Sequence, residues 1–379
     1  MLDVPNPATG VELKASNGQV PDVSIIIPAR NEEANIGACL HSLFAQTGPE
    51  QEGPACEIIV VDDSSTDRTR EIARSFEGVR VISAESLPQT SAEERPTGKN
   101  NALIAGAKLA RGKWLLFTDA DTVHRPGSLA WALDEAERES ADLLSYSPEQ
   151  EVVSFPERAL MPVVFSELAA QYPLRKVREQ DPKVVAANGQ YILVRRGAYD
   201  AIGGHAGVAP EILEDVALAR RFRHSGFRIY FRYGGDAVRT RMYRNWAQLR
   251  EGWTKNLALL FPDANRLALQ SLVIWGGAWA SLAIAATASS KNPLRVGFMV
   301  FPFMAYRRIR TSHFSAANSL LALAFGLPIF SYLLLRSRRA HQTGEISWKG
   351  RSYAVGGRAR TGIKTETAGI ENGKLSIET

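Results

Sequence analysis

The sequence has little cysteine: only Cys39 and Cys56 occur among its 379 residues. This scarcity excludes a disulfide framework and a cysteine-rich zinc site, and it fits a reducing compartment. Residues 1–21 also lack an apolar core, so we expect no signal peptide. The N-terminal part of the chain is therefore predicted to remain in the cytoplasm.

Charged residues are missing from two long stretches near the C-terminus, residues 267–290 and 314–335. Each stretch is long enough to cross a hydrocarbon core of ~30 Å, which predicts C-terminal transmembrane helices. Residues 296–306 are apolar but shorter, which predicts a half-span or an interfacial segment. The alternative is that these stretches are core helices of a soluble domain.

The net charge of +5 is concentrated in late arginine clusters. An excess of positive charge fits either nucleic acid or an anionic lipid surface. Because these clusters flank the apolar stretches, we expect a membrane partner and no nucleic acid. The positive-inside rule does not fix the topology, since arginines lie at both ends of the second stretch.

The first half of the chain alternates short β-branched or apolar runs with helical patterns. Such alternation predicts parallel strands joined by right-handed crossovers, with helices on both faces of the sheet. The predicted strands cover residues 23–27, 57–61, 79–82 and 113–118, and the predicted helices cover residues 35–44, 68–76 and 100–109.

Two of these strands end in pairs of acids, Asp62 with Asp63 and Asp119 with Asp121. Ligands of open α/β folds bind at the carboxyl edge of the sheet, so the four carboxylates are predicted to meet there. In an extended chain, residues i and i+2 point the same way, so Asp119 and Asp121 can converge on one hard cation such as Mg²⁺ or Mn²⁺. For Asp62 and Asp63, capping of the next helix is the alternative.

Four motifs in this order and spacing resemble those of family 2 glycosyltransferases. The resemblance covers residues 22–260 and implies the GT-A fold, an α/β nucleotide-sugar-binding domain with a mostly parallel sheet. It also implies an inverting reaction that uses a nucleotide-diphosphate sugar and a divalent cation. The motifs are Pro-Ala-Arg-Asn-Glu at 28–32, Val-Asp-Asp-Ser-Ser-Thr-Asp at 61–67, Gly-Lys-Asn-Asn-Ala-Leu at 98–103 and Asp-Ala-Asp at 119–121.

The resemblance assigns roles in nucleotide binding to five residues. Pro28 and Glu32 would shape and line the uridine pocket, and Asp62 or Asp63 would hydrogen-bond the base. Lys99 would lie near the nucleotide, where an ammonium offsets phosphate charge. A solvated lysine at a helix start is the alternative for Lys99.

The resemblance also implies a metal site and a catalytic acid pair. Asp119 would approach the ribose or the metal, and Asp121 would bind the Mg²⁺ or Mn²⁺ on the diphosphate. Asp215, preceded by Glu214, matches the Glu-Asp motif of the family and is the candidate general base. An acid pair at a helix N-terminus, favoured by the helix dipole, is the alternative. His205 precedes this pair in a glycine-rich loop and is predicted on the acceptor side.

The Gln-x-x-Arg-Trp motif of processive family members is absent. In its place stand Arg-x-Tyr at 241–243 and Gly-Trp-Thr-Lys-Asn at 252–256, in which Trp253 could stack on the acceptor and Lys255 could meet the leaving diphosphate. An amphipathic helix near the membrane would look similar. This part, with the Trp-Lys-Gly-Arg-x-Tyr at 348–353, resembles the membrane-bound subgroup that glycosylates carotenoid acids or is associated with hopanoids.

These observations predict a multi-pass cell-membrane glycosyltransferase whose catalytic domain faces the cytoplasm. It would move a sugar, by the resemblance from a UDP-sugar, to a terpenoid or polyprenyl lipid. The alternatives are a synthase that extends a surface polysaccharide and an inactive nucleotide-sugar-binding scaffold. The predicted parts are a polar leader (1–21), a GT-A domain (22–262), a membrane-associated helical region (263–340) and a polar, partly disordered tail (341–379).

Overall fold

The computed structural model describes residues 20–46, 53–84, 98–181, 183–287, 294–344, 346–348 and 351–353. Most of the predicted leader and tail lie outside these residues. The strands are β1 (Val23–Ala29), β2 (Cys56–Asp62), β3 (Val79–Ser83), β4 (Trp114–Thr118), β5 (Thr122–His124), β6 (Leu143–Ser147), β7 (Glu149–Gln150), β8 (Tyr191–Arg195), β9 (Ile229–Tyr233), β10 (Val238–Thr240), β11 (Ile346–Trp348) and β12 (Arg351–Tyr353).

Helices alternate with the strands up to β10, and a run of helices then separates β10 from β11. The α-helices are α1 (Ile36–Phe44), α2 (Thr69–Arg74), α3 (Gly98–Leu109), α4 (Ser128–Arg138), α5 (Phe155–Gln171), α6 (Leu174–Arg178), α7 (Arg196–Ala201), α8 (Glu214–His224), α9 (Trp246–Leu260), α10 (Ala264–Thr287), α11 (Leu294–Ile309), α12 (Ala316–Leu321) and α13 (Leu327–Thr343). A π-helical segment, Ala322–Gly326, joins α12 to α13, so that the two form one continuous helix.

The main sheet has seven strands in the order β3-β2-β1-β4-β8-β6-β9. All neighbouring pairs are parallel except those of β8, which runs antiparallel to both β4 and β6. The predicted mostly parallel α/β fold is thus confirmed, and the alternating strands β1 to β4 pair in parallel as expected, whereas β8 lies outside that alternating part. After β6 the chain forms α5 and α6 beyond the carboxyl edge instead of crossing a sheet face, so it re-enters the sheet from that same edge.

The sheet is covered on both faces, as its apolar strands require. Alternate residues of β1 divide between the two faces: Val23, Ile25 and Ile27 pack with α1 and α4, while Ile26 packs with α3. Gly106 lets α3 approach closely, since a Cβ there would lie 2.5 Å from the Ile26 side chain. A second sheet, β5-β10-β7, lies beyond the carboxyl edge.

A third core joins the C-terminal helices to the domain. It contains Val163 of α5, Leu257 of α9 and Phe330 of α13, each fully buried. Two helices, Ala264–Thr287 and Ala316–Thr343, are long and apolar enough to cross a membrane by length and composition. The short segment expected at 296–306 belongs to the longer helix α11.

Candidate active site

A cavity of about 760 Å³ opens at the carboxyl edge of the main sheet. It reaches from the end of β1, past the ends of β4 and β6, to α5, α9 and the loop at 311–315. Most residues predicted for the site lie on its wall: Pro28, Glu32, Asp63, Lys99, Asp119, Asp121, Glu214, Asp215, Trp253 and Lys255. Topology therefore brings together residues that are up to 227 positions apart in the chain, from Pro28 to Lys255.

The two acids after β2 have different surroundings. Asp63 lines the cavity, and its backbone carbonyl accepts a hydrogen bond from Arg30 at 2.7 Å. Asp62 does not line the cavity; its Oδ1 accepts the backbone N–H of Ser65 at 3.2 Å. The structure thus corrects the predicted role of Asp62 in nucleotide binding, because its carboxylate holds the turn that follows the strand.

Asp119 and Asp121 lie in the turn between β4 and β5, since β4 ends at Thr118. Their convergence therefore does not come from strand alternation. Thr122 Oγ1 donates to the Asp119 carbonyl at 2.7 Å, and Thr240 Oγ1 donates to the Asp121 carbonyl at 3.1 Å. The second sheet thus fixes the turn that presents both acids to the cavity.

Lys99, at the start of α3, bridges two of the acids. Its Nζ lies 2.9 Å from Asp119 Oδ1 and 2.8 Å from Glu214 Oε1. Burial disfavours the charged form of Lys99, but the two carboxylates outweigh it and raise the pKa of the ammonium well above its ordinary value. Lys99 therefore carries a fixed positive charge between the strand-end acids and α8.

Glu214 and Asp215 form the first turn of α8, as predicted. The Asp215 carboxylate accepts the backbone N–H of Gly189 at 2.9 Å and that of Val216 at 2.8 Å. Burial and the charge of Glu214 raise the pKa of Asp215 to about 6, although Lys99 acts in the opposite direction. An oriented carboxylate with a raised pKa is suited to accept a proton near neutral pH.

Glu214 has the opposite electrostatic environment. Burial favours its neutral form, but the charges of Lys99 and Lys255 hold the pKa of Glu214 below its ordinary value. Burial lowers the pKa of Lys255, which lines the cavity on α9. Neighbouring carboxylates thus differ: Glu214 stays ionised in an ion pair, whereas Asp215 titrates.

Trp253 lines the cavity one turn before Asn256 on the same helix. The indole is buried, with its ring 6.0 Å from that of Tyr243. Within the described residues, the Trp253 Nε1 and the Asn256 Oδ1 have no hydrogen-bond partner. Buried polar atoms of this kind are costly unless a ligand or water satisfies them, so they favour a polar ligand group here.

His205 does not line the cavity. Its ring is buried, with Nδ1 3.0 Å from the Tyr199 hydroxyl and the ring centroid 4.6 Å from that of Phe117. Burial lowers the pKa of His205 to about 4, so the imidazole is neutral. The predicted acceptor-side role is therefore corrected, because His205 packs the glycine-rich loop onto the sheet.

Gly189, which sequence reasoning missed, lies against the charged groups. A Cβ at this position would be 3.1 Å from Lys99 Nζ and 3.3 Å from Glu214 Oε1. The Asn-Gly pair at 188–189, directly before β8, is a turn signal that could have drawn attention to it. Only a residue without a side chain fits here without displacing the ion pair.

We call the group formed by Lys99, Asp119, Asp121, Glu214 and Asp215 the charged end of the cavity. A second group of lining residues, which we call the apolar arm, was also missed from the sequence. It is lined by side chains of α5, α9 and nearby loops: Val152, Phe165, Leu168, Ala169, Leu260 and Phe314. One cavity therefore carries both ionised groups and apolar surface on its wall.

The acids of the charged end are possible ligands of a divalent cation. Among the residues that the structure describes, no group of three or more His, Cys, Asp and Glu side chains is arranged to hold a metal ion. Asp119 and Asp121 supply two carboxylates, however, and Mg²⁺ is commonly held by one or two carboxylates together with substrate phosphates. The donor set fits a cation that arrives with a diphosphate.

Four known proteins or families are similar to this chain. The chain is 28% identical over 363 residues to the 4,4'-diaponeurosporenoate glycosyltransferase of Staphylococcus aureus. The aligned region covers 91% of this chain and 92% of that protein. A solved mannosyltransferase from Pyrobaculum calidifontis, in complex with GDP-Man and Mn²⁺, is 17% identical with a TM-score of 0.45, covering 89% of this chain and 88% of that chain.

The glucosyl-3-phosphoglycerate synthase of Mycobacterium tuberculosis is 23% identical, with a TM-score of 0.42 and coverage of 68% and 85%. Finally, the model of the family described as glycosyl transferase family 2 matches residues 24–203, the segment that holds the main sheet through β8 and the motifs of the charged end up to Asp121. Residues 24–203 are therefore similar to the glycosyl transferase family 2 domain.

Proposed function

We propose that this protein is an inverting glycosyltransferase that moves a sugar from a UDP-sugar to a lipid acceptor at the membrane. The observation that carries the proposal is that the charged end and the apolar arm line one and the same cavity. A nucleotide sugar needs charged and polar partners, whereas a lipid needs apolar wall. The name of the Staphylococcus aureus relative, a glycosyltransferase for a carotenoid acid, supports a terpenoid acceptor.

The donor would lie at the charged end. Pro28 and Glu32 shape the pocket for the base there, and Asp63 is the acid that can reach the base. Lys99 offsets the charge of the diphosphate, for which its fixed ammonium is suited. Lys99 forms an ion pair with Asp119 in the structure, and a bound diphosphate would be a second negative partner for the same ammonium.

Asp119 and Asp121 would hold a divalent cation, Mg²⁺ or Mn²⁺, that accompanies the diphosphate. When bound, this cation supplies positive charge that stabilises the leaving diphosphate. The chain itself fixes the two carboxylates through Thr122 and Thr240, which bind the carbonyls of the same turn.

Asp215 would act on the acceptor. Its carboxylate takes the proton of the acceptor hydroxyl, and the oxygen attacks the anomeric carbon from the side opposite the diphosphate. The new C–O bond forms as the bond to the diphosphate breaks, so the configuration at that carbon inverts. For a carboxylate acceptor no proton is removed, and Asp215 orients the acceptor instead.

The remaining residues position these groups. Glu214 is held by Lys99 at 2.8 Å, so it orients the lysine and does not transfer a proton. Lys255 adds positive charge on the side of the leaving diphosphate. Trp253 stacks on the acceptor and has an indole N–H that can donate to an acceptor oxygen.

The proposed location is the cell membrane, with the catalytic domain on the cytoplasmic side. Two helices of suitable length and composition, α10 and the helix Ala316–Thr343, support membrane association. The apolar arm includes Phe314, just before that second helix, so a lipid acceptor could reach the cavity from the bilayer.

The test is release of UDP by the purified full-length protein in detergent. UDP-glucose and other UDP-sugars are supplied with Mn²⁺ or with chelator, each with and without a membrane lipid extract. We expect metal-dependent release that rises with lipid and is lost in Asp215→Asn but kept in Asp200→Asn, which changes an exposed acid.

Two other outcomes would redirect the proposal. A polymeric product would support a polysaccharide synthase. Binding of UDP without release from any UDP-sugar would support an inactive scaffold.

A further inference from the structure

The C-terminal helices expose a large apolar surface. Of the exposed large hydrophobic residues in the described chain, most lie on α10, α11 and the helix Ala316–Thr343, and we call them the apolar face: Leu269, Leu272, Val273, Trp279, Ile284, Met299, Val300, Phe301, Phe303, Met304, Leu320, Phe325, Tyr332 and Leu335. Monomeric soluble proteins rarely expose contiguous apolar surface of this extent, so the face fits a partner that is itself apolar.

The N-terminal end of the helix Ala316–Thr343 is bound to the catalytic domain. Asn318 Oδ1 accepts a hydrogen bond from Arg158 Nε of α5 at 2.9 Å. Just before the helix, the ring of His313 stacks on Tyr233, at the end of β9, with centroids 4.3 Å apart. This end of the helix therefore lies beside the carboxyl edge of the sheet.

The middle and the C-terminal end of the same helix are bound to the same domain. A Cβ on Gly326 would lie 2.1 Å from the Ala159 carbonyl, so the helix backbone packs directly on α5. Further on, Ser337 Oγ donates to the Thr254 carbonyl at 2.6 Å, and His341 Nε2 lies 2.8 Å from the Lys255 carbonyl. The helix lies along α5 and α9 over its whole length.

These contacts bear on whether this helix crosses the bilayer. Its 28 residues extend about 42 Å, so the ends of a spanning helix would lie on opposite sides of a hydrocarbon core of ~30 Å. Yet α5 and α9, which hold it from end to end, also line the cavity that contains the charged end. Because the ionised groups of the charged end are costly to place in hydrocarbon, the catalytic domain lies outside the bilayer core. The axis of the helix Ala316–Thr343, which is packed on this domain, then lies outside the core as well.

The helices α10 and α11 form a hairpin that also returns to the domain. The start of α10 is fixed to α13, where Ser331 Oγ donates to the Ala268 carbonyl at 3.0 Å. Further along, Gly277 lies against Phe301 of α11. At the end of α11, Arg308 forms an ion pair with Glu167 of α5 at 2.8 Å. Both ends of the hairpin thus lie on the domain side.

We propose that the apolar face binds a lipid bilayer from one side only, so that the protein is monotopic and the chain does not pass through the membrane. The hairpin of α10 and α11 would dip into the bilayer, and the helix Ala316–Thr343 would lie in its surface. This replaces the multi-pass arrangement expected from composition. The inference rests on the proposed membrane association but not on the proposed transfer reaction.

Charge at the border of the apolar face supports the same partner. Arg307 and Arg310 are exposed at the end of α11, and Arg336 and Arg339 are exposed at the end of α13. Both groups lie where the helices meet the catalytic domain, which is the level of the lipid headgroups in a one-sided arrangement. Anionic lipid phosphates attract arginines at this level. The expected bilayer is therefore one with anionic headgroups on the domain side.

The decisive positions are the end of α10, the end of α11 and the loop after α11. If only α10 crossed the membrane, Arg307 and Thr311 would lie on the side opposite to the catalytic domain; if α10 and α11 both crossed it, Thr287 at the end of α10 would lie on that side instead. In the one-sided arrangement, Arg307 and Thr311 lie on the domain side and Thr287 lies within the bilayer. The test introduces Thr287→Cys, Arg307→Cys or Thr311→Cys, with Lys108→Cys on the exposed end of α3 as the domain-side reference. The unmodified protein, whose two cysteines are buried, is the background control.

Each variant is labelled with a membrane-impermeant maleimide in spheroplasts and in inverted membrane vesicles. We expect Arg307→Cys and Thr311→Cys to react from the side that labels Lys108→Cys and not from the other side. We expect Thr287→Cys to react from neither side until the protein is solubilised in detergent. Labelling of any of the three variants from the side opposite to Lys108→Cys overturns the inference. So does labelling of Arg307→Cys and Thr311→Cys from neither side when detergent-solubilised protein reacts. Recovery of the protein in the soluble fraction also overturns the inference, and it indicates that a second copy or another protein covers the apolar face. The UDP-release assay is independent of this result and tests the proposed transfer reaction separately.

Discussion

At the charged end of the cavity, Lys99 meets two carboxylates, and the Asp215 oxygens accept two backbone N–H groups. At the apolar arm, by contrast, the wall consists of hydrocarbon side chains such as those of Phe165 and Leu168, which offer no hydrogen-bonding group. The charged end is therefore specific in geometry, because moving one group leaves another without its partner. The apolar arm selects its ligand by size and hydrophobicity, which tolerates variation among lipids.

Replacing Asp215 by Asn is expected to have the largest effect, because it removes the proposed base and leaves the apolar arm intact. Sugar transfer to a hydroxyl acceptor should fall roughly 10²- to 10⁴-fold, the usual contribution of general base catalysis. Steady-state kinetics with saturating donor measure this, alongside UDP binding, which should be retained. A variant that keeps its transfer rate would show that Asp215 only orients the acceptor.

Replacing Lys99 by Met separates donor binding from acceptor binding. The affinity for UDP should fall about 10- to 100-fold, since a hydrogen bond to a charged group contributes ~1.5–3 kcal/mol. Isothermal titration calorimetry with UDP checks this. Lys108→Met, on the exposed end of the same helix, is the matched control. Equal affinities in the two variants would contradict a role of Lys99 at the diphosphate.

The pH dependence tests the charged end without a mutation. Asp215 accepts a proton only when it is ionised, and its raised pKa of about 6 means that the protonated, inactive fraction grows as the pH falls through that value. The transfer rate should therefore rise with pH up to about 6, by roughly tenfold per unit well below it, and then level off. An acid limb that persists in Asp215→Asn would assign it to another group.

Replacing Ala169 by Glu is the corresponding change at the apolar arm. A carboxylate among apolar side chains disfavours a lipid chain, so the KM for the lipid acceptor should rise about 10-fold. The affinity for UDP should not change. Ala170→Glu adds the same charge to the neighbouring exposed position, which does not line the cavity. A similar KM in both variants would exclude this arm as the acceptor site.

The difference between the two ends also explains what could be predicted from the sequence. Asp63, Asp119 and Asp121 follow strands of one sheet, so topology alone brings them to one edge. Glu214 begins its helix where the acid pair predicted it. The apolar arm escaped prediction because residues such as Leu168 and Ala169 are common in any helix, and only tertiary packing turns them toward the cavity.

Three features depended on contacts that sequence patterns do not encode. The antiparallel course of β8 follows from the position of α5 outside the sheet, which local patterns do not specify. His205 lies in a glycine-rich loop typical of ligand sites, but its burial against Phe117 is a packing result. A helix that lies on a domain with one apolar face outward has the same composition as a spanning helix, so Ala316–Thr343 could not be distinguished from one.

The central claim, that one cavity joins a nucleotide-sugar donor to a lipid acceptor, is tested most directly by following the sugar itself. Protein in membranes is given radiolabelled UDP-sugar, and the lipids are then extracted into organic solvent. We predict label in the organic phase with the unmodified protein and with Asp200→Asn, and at least about 10²-fold slower labelling with Asp215→Asn. Label that stays in the aqueous phase, as free sugar or polymer, would contradict the claim.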